Sequence, residues 1–261
     1  MEPLSLSMLH SRSDVPDPRG VDRDAFARQP LPAGAARSLA YMADIEGHTI
    51  VYLRELLATR VVDDPKIAAF LACWFYEESA HGGALAAVLE ASGHPFQPST
   101  RQARGWRARA EALAIATISA AWPDFVAVHM TWGAINELTA LTAYRRLATV
   151  AEHPALAALL GRIARDEARH FAFYFAQAER RLAASATTRH VVRGLLSHFW
   201  APVGHDVRNQ DELGSMARYL FGDAAGRAAM QRIDRTIRRL PGCADIPLLE
   251  AWLTRHAMLA G

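Results

Sequence analysis

Apolar residues recur at spacings of three and four through most of this 261-residue chain, and polar–apolar alternation is nearly absent. That period returns side chains to one helix face, so the chain reads as all-α. Residues 1–34 carry Pro3, Pro16, Pro18, Pro30 and Pro32 among Asp, Arg and Ser, and read as an irregular, Pro-rich lead-in. A first long helix is predicted from about Ala35 to Arg60. Asp63, Asp64 and Pro65 then form a cap-and-start signal for a second helix. It runs to about Ser92 and stops at Gly93, with Pro95 and Pro98 beyond. A third helix is expected over Thr100 to Ala121, a fourth from Asp124 to about Val150, and a fifth from the His153-Pro154 break to about Ala184. Helices of this length, roughly 40 Å, suit a bundle. Shorter helices are expected from Thr187 to Gly261, interrupted by Pro202, Gly204, Pro241 and Pro247. No linker or low-complexity tract divides residues 35–261, which read as a single helical domain.

Composition narrows the function classes. Hydrophobic residues make up 51% and charged residues 21%, which is too apolar for a disordered chain. The net charge is only +2, without the basic excess that nucleic-acid binding needs. Lys66 is the sole lysine, so the positive charge is almost all arginine. No run of 18 apolar residues and no basic-then-apolar start occurs, so no membrane span is expected and the expected location is cytoplasmic. Cys73 and Cys243 have no metal or redox spacing; Cys73, in an apolar helical run, is expected to be a small core residue.

The most informative feature is a repeat. The first helix carries an isolated Glu46 and the second carries Glu77-Glu78-Ser79-Ala80-His81. The fourth carries an isolated Glu137 and the fifth carries Asp166-Glu167-Ala168-Arg169-His170. The order Glu, then Glu-x-x-His, occurs twice, with 32 residues separating the glutamates in one half and 30 in the other. Residues three apart share a helix face, so Glu78 points with His81 and Glu167 with His170. Their neighbours are apolar: Trp74, Phe75 and Leu85 around one pair, Ile163, Phe171 and Tyr174 around the other. Met130, Gly133, Leu141 and Tyr144 surround Glu137 in the same way.

Four carboxylates on buried faces are costly unless something compensates them. Two divalent cations balance four glutamates while both histidines stay neutral. A Glu from each of two helices and Glu-x-x-His from two others is a di-iron or di-manganese ligand set. Oxygen-rich ligands with one imidazole per ion favour iron, or manganese, over tetrahedral zinc. With 13 glutamates and 11 histidines, chance alone supplies about half an occurrence of Glu-x-x-His. One match therefore means nothing; the paired order, gaps and lone acids carry the inference. Metal-bound histidines usually donate their other nitrogen to a carboxylate. Asp166 is expected to brace His81 and Glu77 to brace His170 across the bundle; the competing expectation is surface ion pairs with Arg169 or Arg165. His48, His129, His198 and His205 are expected to be surface or core residues rather than ligands.

EESAHG at 77–82 and DEARHF at 166–171 resemble the EENRHG and DEKRHE motifs of the soluble acyl-acyl-carrier-protein desaturases, a ferritin-like di-iron family. Glu46 and Glu137 fall where that family has its two lone glutamates. RTIRRLPG at 235–242 is similar to an arginine-rich segment of bacterial members. The similarity spans about residues 40 to 240 and is specific at the ligand helices. It implies a ferritin-like four-helix bundle with additional helices, and two iron ions held by Glu46, Glu78, His81, Glu137, Glu167 and His170. It also implies O2-dependent desaturation of an acyl chain on acyl carrier protein, a ferredoxin-type electron donor and a homodimer. The chain departs from the family at Ala80, where the family has arginine, while Arg169 is kept. It departs at Ala140, where the family has threonine; Thr139 or Thr142 substitutes only if the helix is turned or bent. No tryptophan precedes Trp74.

Small residues at Gly82, Gly83, Gly133, Ala134 and Ala140 are consistent with either an acyl channel or close helix packing. Arg227, Arg232, Arg235, Arg238 and Arg239 suit either a dock for an acidic carrier protein or a solvated face. Two other functions compete with desaturation. One is a di-iron oxygenase or oxidase of specialised metabolism, acting on a small amine, aldehyde or amino-acid derivative; it predicts a compact pocket with polar anchors instead of a deep apolar tunnel. The other is ferritin-like iron storage, which the 261-residue length disfavours.

Overall fold

The computed structural model describes residues 15–16, 18–99, 117–205, 209–256 and 258–259. It is all-α, and no strand occurs among the described residues. In chain order the helices are α1 (Arg23–Arg28), α2 (Ala33–Leu57), α3 (Pro65–Ala91), α4 (Val126–Val150), α5 (Pro154–Ala184), α6 (Ala186–Phe199), α7 (Gln210–Phe221), α8 (Ala224–Ile237) and α9 (Leu249–Arg255). Of the helix expected over Thr100 to Ala121, only residues 117–121 are described, and they are helical; the rest lies outside the described residues.

Local chemistry explains the boundaries. The Asp64 carboxylate accepts from the Lys66 amide at 3.0 Å, and Pro65 occupies the first turn of α3, where a missing N–H costs nothing. Beyond α3, Gly93 takes φ +74°, a left-handed conformation that glycine adopts without a Cβ clash. His153 caps α5 by accepting from the Leu156 amide, and its other ring nitrogen donates to the Gln29 carbonyl at 2.8 Å.

That second bond corrects one expectation. Residues 23–28, read from sequence as irregular chain, form α1. Asp22 caps it, and Phe26 is buried with its ring stacked on His153, centroids 4.8 Å apart. The prolines obscured a short helix held by contacts distant in sequence.

Helices α4 and α5 pack along their length, as do α2 and α3, and the two pairs meet where α2 touches α4 and α3 touches α5. Helix α7 covers α2, and α8 covers α4. Fully buried Leu85, Met130, Ile135, Leu147, Leu160 and Ile163 belong to one continuous core. Close approach decides the role of two small residues. A Cβ at Gly133 would lie 2.5 Å from the fully buried Tyr174 ring, and one at Gly83 would lie 2.7 Å from Pro18. Gly133 therefore serves packing, whereas Gly83 packs on Pro18 and also lines a cleft beside Glu46.

Gly133→Ala is therefore expected to destabilise the fold by about 1–3 kcal/mol through overpacking, despite alanine's higher helix propensity. Gly161→Ala, inside α5 with nothing within 4 Å of its Cβ position, is expected to stabilise by about 0.5–1 kcal/mol. Urea unfolding of both variants checks the opposite signs; a stabilised Gly133→Ala would contradict the packing.

Among the described residues no helix is long and apolar enough to cross a membrane. Cys73 and Cys243 are both free. Cys243 is buried, whereas Cys73 is only half-buried, so it is not the core residue expected.

Candidate metal centre

The four long helices each turn an acid inward at the same level. Glu46 comes from α2, Glu78 and His81 from α3, Glu137 from α4, and Glu167 and His170 from α5. All six are buried, none more than 6% exposed. Two groups result, one of Glu46, Glu78, His81 and Glu167, the other of Glu78, Glu137, Glu167 and His170. In each, four potential ligand atoms lie within 4.8 Å of one another. Glu78 and Glu167 belong to both.

The atoms facing one another satisfy few of their own bonding needs. Glu46 Oε2, Glu78 Oε1, Glu167 Oε1 and the Nδ1 atoms of His81 and His170 are buried without a hydrogen-bond partner. They nonetheless converge: His81 Nδ1 is 3.2 Å from Glu167 Oε1, and His170 Nδ1 is 3.1 Å from Glu78 Oε1. Buried polar atoms left this way are expensive. Atoms that approach without bonding each other are suited to bonding a third centre. Four carboxylates and two imidazoles supply hard oxygen donors with one nitrogen per group, so these residues fit metal ions.

The opposite edge of each imidazole is occupied. His81 Nε2 lies 3.1 Å from Asp166 Oδ2, and His170 Nε2 lies 2.6 Å from Glu77 Oε2. Donation from Nε2 fixes the tautomer with the Nδ1 lone pair directed inward, the state a metal requires. The bracing and the surface pairing, alternatives in sequence, occur together. Arg169 donates from Nη1 to Asp166 Oδ1 at 2.6 Å and from Nη2 to Glu77 Oε1 at 2.9 Å. One guanidinium thus links the braces of both histidines.

Two donors were not legible in sequence. Tyr144 donates its hydroxyl to Glu46 Oε1, and Trp74 donates Nε1–H to Glu137 Oε1 at 3.0 Å. Each lone glutamate is therefore held by an aromatic donor at one oxygen, leaving the other for a metal. Trp74 and Tyr144 stood in the sequence only as apolar neighbours of the acids. Their heptad-like spacing, Trp74 four before Glu78 and Tyr144 seven after Glu137, put them on inward faces, but their partners lie across the core.

The chain matches no family model, no curated protein and no solved structure.

The cluster's electrostatics are those of a site that holds protons when it holds no metal. Burial pushes Glu46 well above the ordinary carboxylate range, and neighbouring Glu78 adds to the effect. Burial likewise raises Glu78 to about 7 and Glu137 to about 8. Glu167 moves the other way: burial would raise it, but the imidazoles of His170 and His81 beside it hold it far below its usual value. Burial would lower His81, yet Asp166 and Glu167 outweigh burial and raise it to about 9.

Metal ions must displace these protons. Apparent metal affinity is therefore expected to rise from pH 6 to 9, with proton release measurable by calorimetry in buffers of different ionisation enthalpy. The metal-free fold should behave oppositely. Groups raised on folding stabilise it below their unfolded values and lose that contribution as pH passes about 7 at Glu78, 8 at Glu137 and 9 at His81. A melting temperature of chelated protein that rises over this range would contradict the assignment.

Other candidates do not join the cluster. His48, His129, His198 and His205 belong to neither group. His129 is half-buried overall, and desolvation of its ring lowers it to about 4. Thr139 and Thr142 both donate to carbonyls of their own helix, Ile135 and Leu138.

Proposed function

We propose that this chain is an O2-dependent oxidoreductase built on a carboxylate-bridged pair of iron ions within a ferritin-like bundle. The observation that carries the reading is the pair of four-ligand groups sharing Glu78 and Glu167, with their unbonded atoms turned toward a common centre. Glu46 and His81 would hold one ion, Glu137 and His170 the other, and the shared glutamates would span both. Iron ions held by these residues would supply O2 activation for the oxidation of C–H bonds. The chain's own residues keep that chemistry dry and oriented. Asp166 and Glu77 hold the imidazoles, Tyr144 and Trp74 hold the lone carboxylates, and the aromatic ring of Phe70 packs edge-on to His170. Manganese is the alternative ion with the same ligand preferences.

For substrate, the motif resemblance supports an acyl chain carried on acyl carrier protein, with a ferredoxin-type donor and a cytoplasmic homodimer. Arg227, Arg232, Arg235, Arg238 and Arg239 are all exposed on and just after α8, which suits an acidic carrier. A second reading is favoured by the cleft beside Glu46, whose volume of about 340 Å³ suits a small molecule better than a long chain.

Protein expressed with iron is expected to carry about two ions per chain and to take up O2 once reduced. Many irons per chain would indicate storage instead. No bound iron or manganese, with Glu78→Ala and His170→Ala indistinguishable from the parent, would end the proposal.

A further inference from the structure

Beside the lone glutamate of α2, helices α2 and α3 part to form a cleft of about 340 Å³. Its floor is Glu46 itself together with Gly82, whose Cβ position lies 3.0 Å from the Glu46 Cβ. A side chain at 82 would press on Glu46 and close the floor. Gly47 also lines the cleft, and a Cβ there would meet nothing within 4 Å. The space therefore runs from the rim to a residue of the metal centre.

The acids in its walls already have partners. The Asp44 side chain is 1% exposed, accepts from the Ser99 amide at 2.9 Å and has His48 Nδ1 3.7 Å from its Oδ1. Glu46 is held at Oε1 by the Tyr144 hydroxyl and belongs to a four-ligand group, where a metal ion would balance its charge. No lysine or arginine among the described residues lines the cleft. A ligand entering it therefore meets neither an open cation nor an open anion.

What remains is apolar surface and one acceptor. Ile50, Phe75 and Phe96 supply apolar walls. The Ser79 hydroxyl donates to the Phe75 carbonyl, and the Ser99 hydroxyl oxygen is buried out of reach. His48 differs. Its side chain is 19% exposed, and its Nδ1 lies 2.8 Å from the Asp44 carbonyl oxygen, a bond that only an N–H can make. The neutral ring then carries its lone pair on Nε2, where the described residues supply no partner, and accepts there.

An ion entering such a recess gives up water and gains no opposite charge, whereas a neutral molecule with an apolar body loses little. The volume stands at the small end of ligand cavities, which run about 300–1,000 Å³. We propose that this cleft is the substrate site and that it takes a small, uncharged alcohol. The apolar body lies against Phe75 and Ile50, beside Glu46, and the hydroxyl donates to His48 Nε2. This assignment rests on the di-iron reading and names its substrate class.

The test uses iron-loaded protein and probes built on one carbon skeleton: 2-phenylethanol, 2-phenylethylammonium, phenylacetate and ethylbenzene. A decanoyl-pantetheine thioester stands for the acyl alternative. Binding is measured by calorimetry, with iron content determined on the same samples. The alcohol is expected to bind about tenfold or more tightly than either ion. Gly47→Leu, which fills the cleft without replacing a metal ligand, is expected to weaken the alcohol about tenfold or more while iron content is unchanged. His48→Leu is expected to weaken the alcohol roughly fivefold and to leave ethylbenzene unaffected. The assignment is overturned if the alcohol does not bind, if either ion binds as tightly, or if alcohol affinity is unchanged in either variant. Thioester binding tighter than the alcohol's also overturns it. A parent that holds no iron or manganese defeats the di-iron reading instead, so the two failures are distinct.

Discussion

Replacing Glu167 with alanine is expected to empty both metal positions at once, whereas His81→Ala should leave about one ion per chain. Glu167 is a member of both four-ligand groups, while His81 belongs to only one. Glu167 is also 1% exposed and flanked by two imidazoles. Metal analysis by mass spectrometry gives the stoichiometry. Thermal melts give an independent measure, because a ligand at a thousand times its dissociation constant stabilises the native state by about 4 kcal/mol. The parent should gain stability on adding ferrous iron under argon, His81→Ala should gain less, and Glu167→Ala should gain none. If Glu167→Ala keeps as much metal as His81→Ala, the carboxylate is not shared.

Asp166→Ala and Glu77→Ala are each expected to weaken metal binding by roughly 10- to 100-fold. Neither residue belongs to the ligand groups. Each acts by holding Nε2 of one histidine, at 3.1 Å for Asp166 and 2.6 Å for Glu77, which keeps the ring in one tautomer and orientation. Asp166→Ala should loosen the ion on the His81 side, and Glu77→Ala the ion on the His170 side. Arg169→Ala provides the comparison. Its side chain is 55% exposed, and both carboxylates keep their imidazoles when it is removed. Its loss should cost about 1 kcal/mol or less. Competition against a chelator of known affinity separates the three variants. An Asp166→Ala protein that holds iron as tightly as Arg169→Ala would reduce the brace to a surface ion pair.

Much of the candidate ligand set was legible because helices translate sequence spacing directly into direction. Glu78 and His81, three residues apart, must share a face whatever α3 packs against, and so must Glu167 and His170. The same local rule exposed the starts of α3 and α5, where Asp64, Pro65, His153 and Pro154 act within one turn. The apolar neighbours of each acid implied burial, and buried acids in that number implied a compensating charge.

What the spacing could not supply were relations between helices. That Tyr144 donates to Glu46 and Trp74 to Glu137 depends on how α4 and α3 are rotated about their axes, and on rotamers chosen by packing. Arg169 was visible as a charge beside Asp166, but its simultaneous reach to Glu77 on α3 required both helices in register. The same holds for α1, which exists because Phe26 finds His153, and for Gly133, which reads as a possible channel until the Tyr174 ring lies against it.

The sequence by itself determined that the chain is helical, about where α2 to α5 begin and end, and which six residues could share a metal centre. These follow from interactions within a few turns of one helix, where distance along the chain sets distance in space. Only the tertiary structure decided which carboxylates belong to both ligand groups, which donors hold them, and where a cleft reaches Glu46. Those depend on contacts between residues many turns apart, for which spacing along the chain says nothing about separation in space.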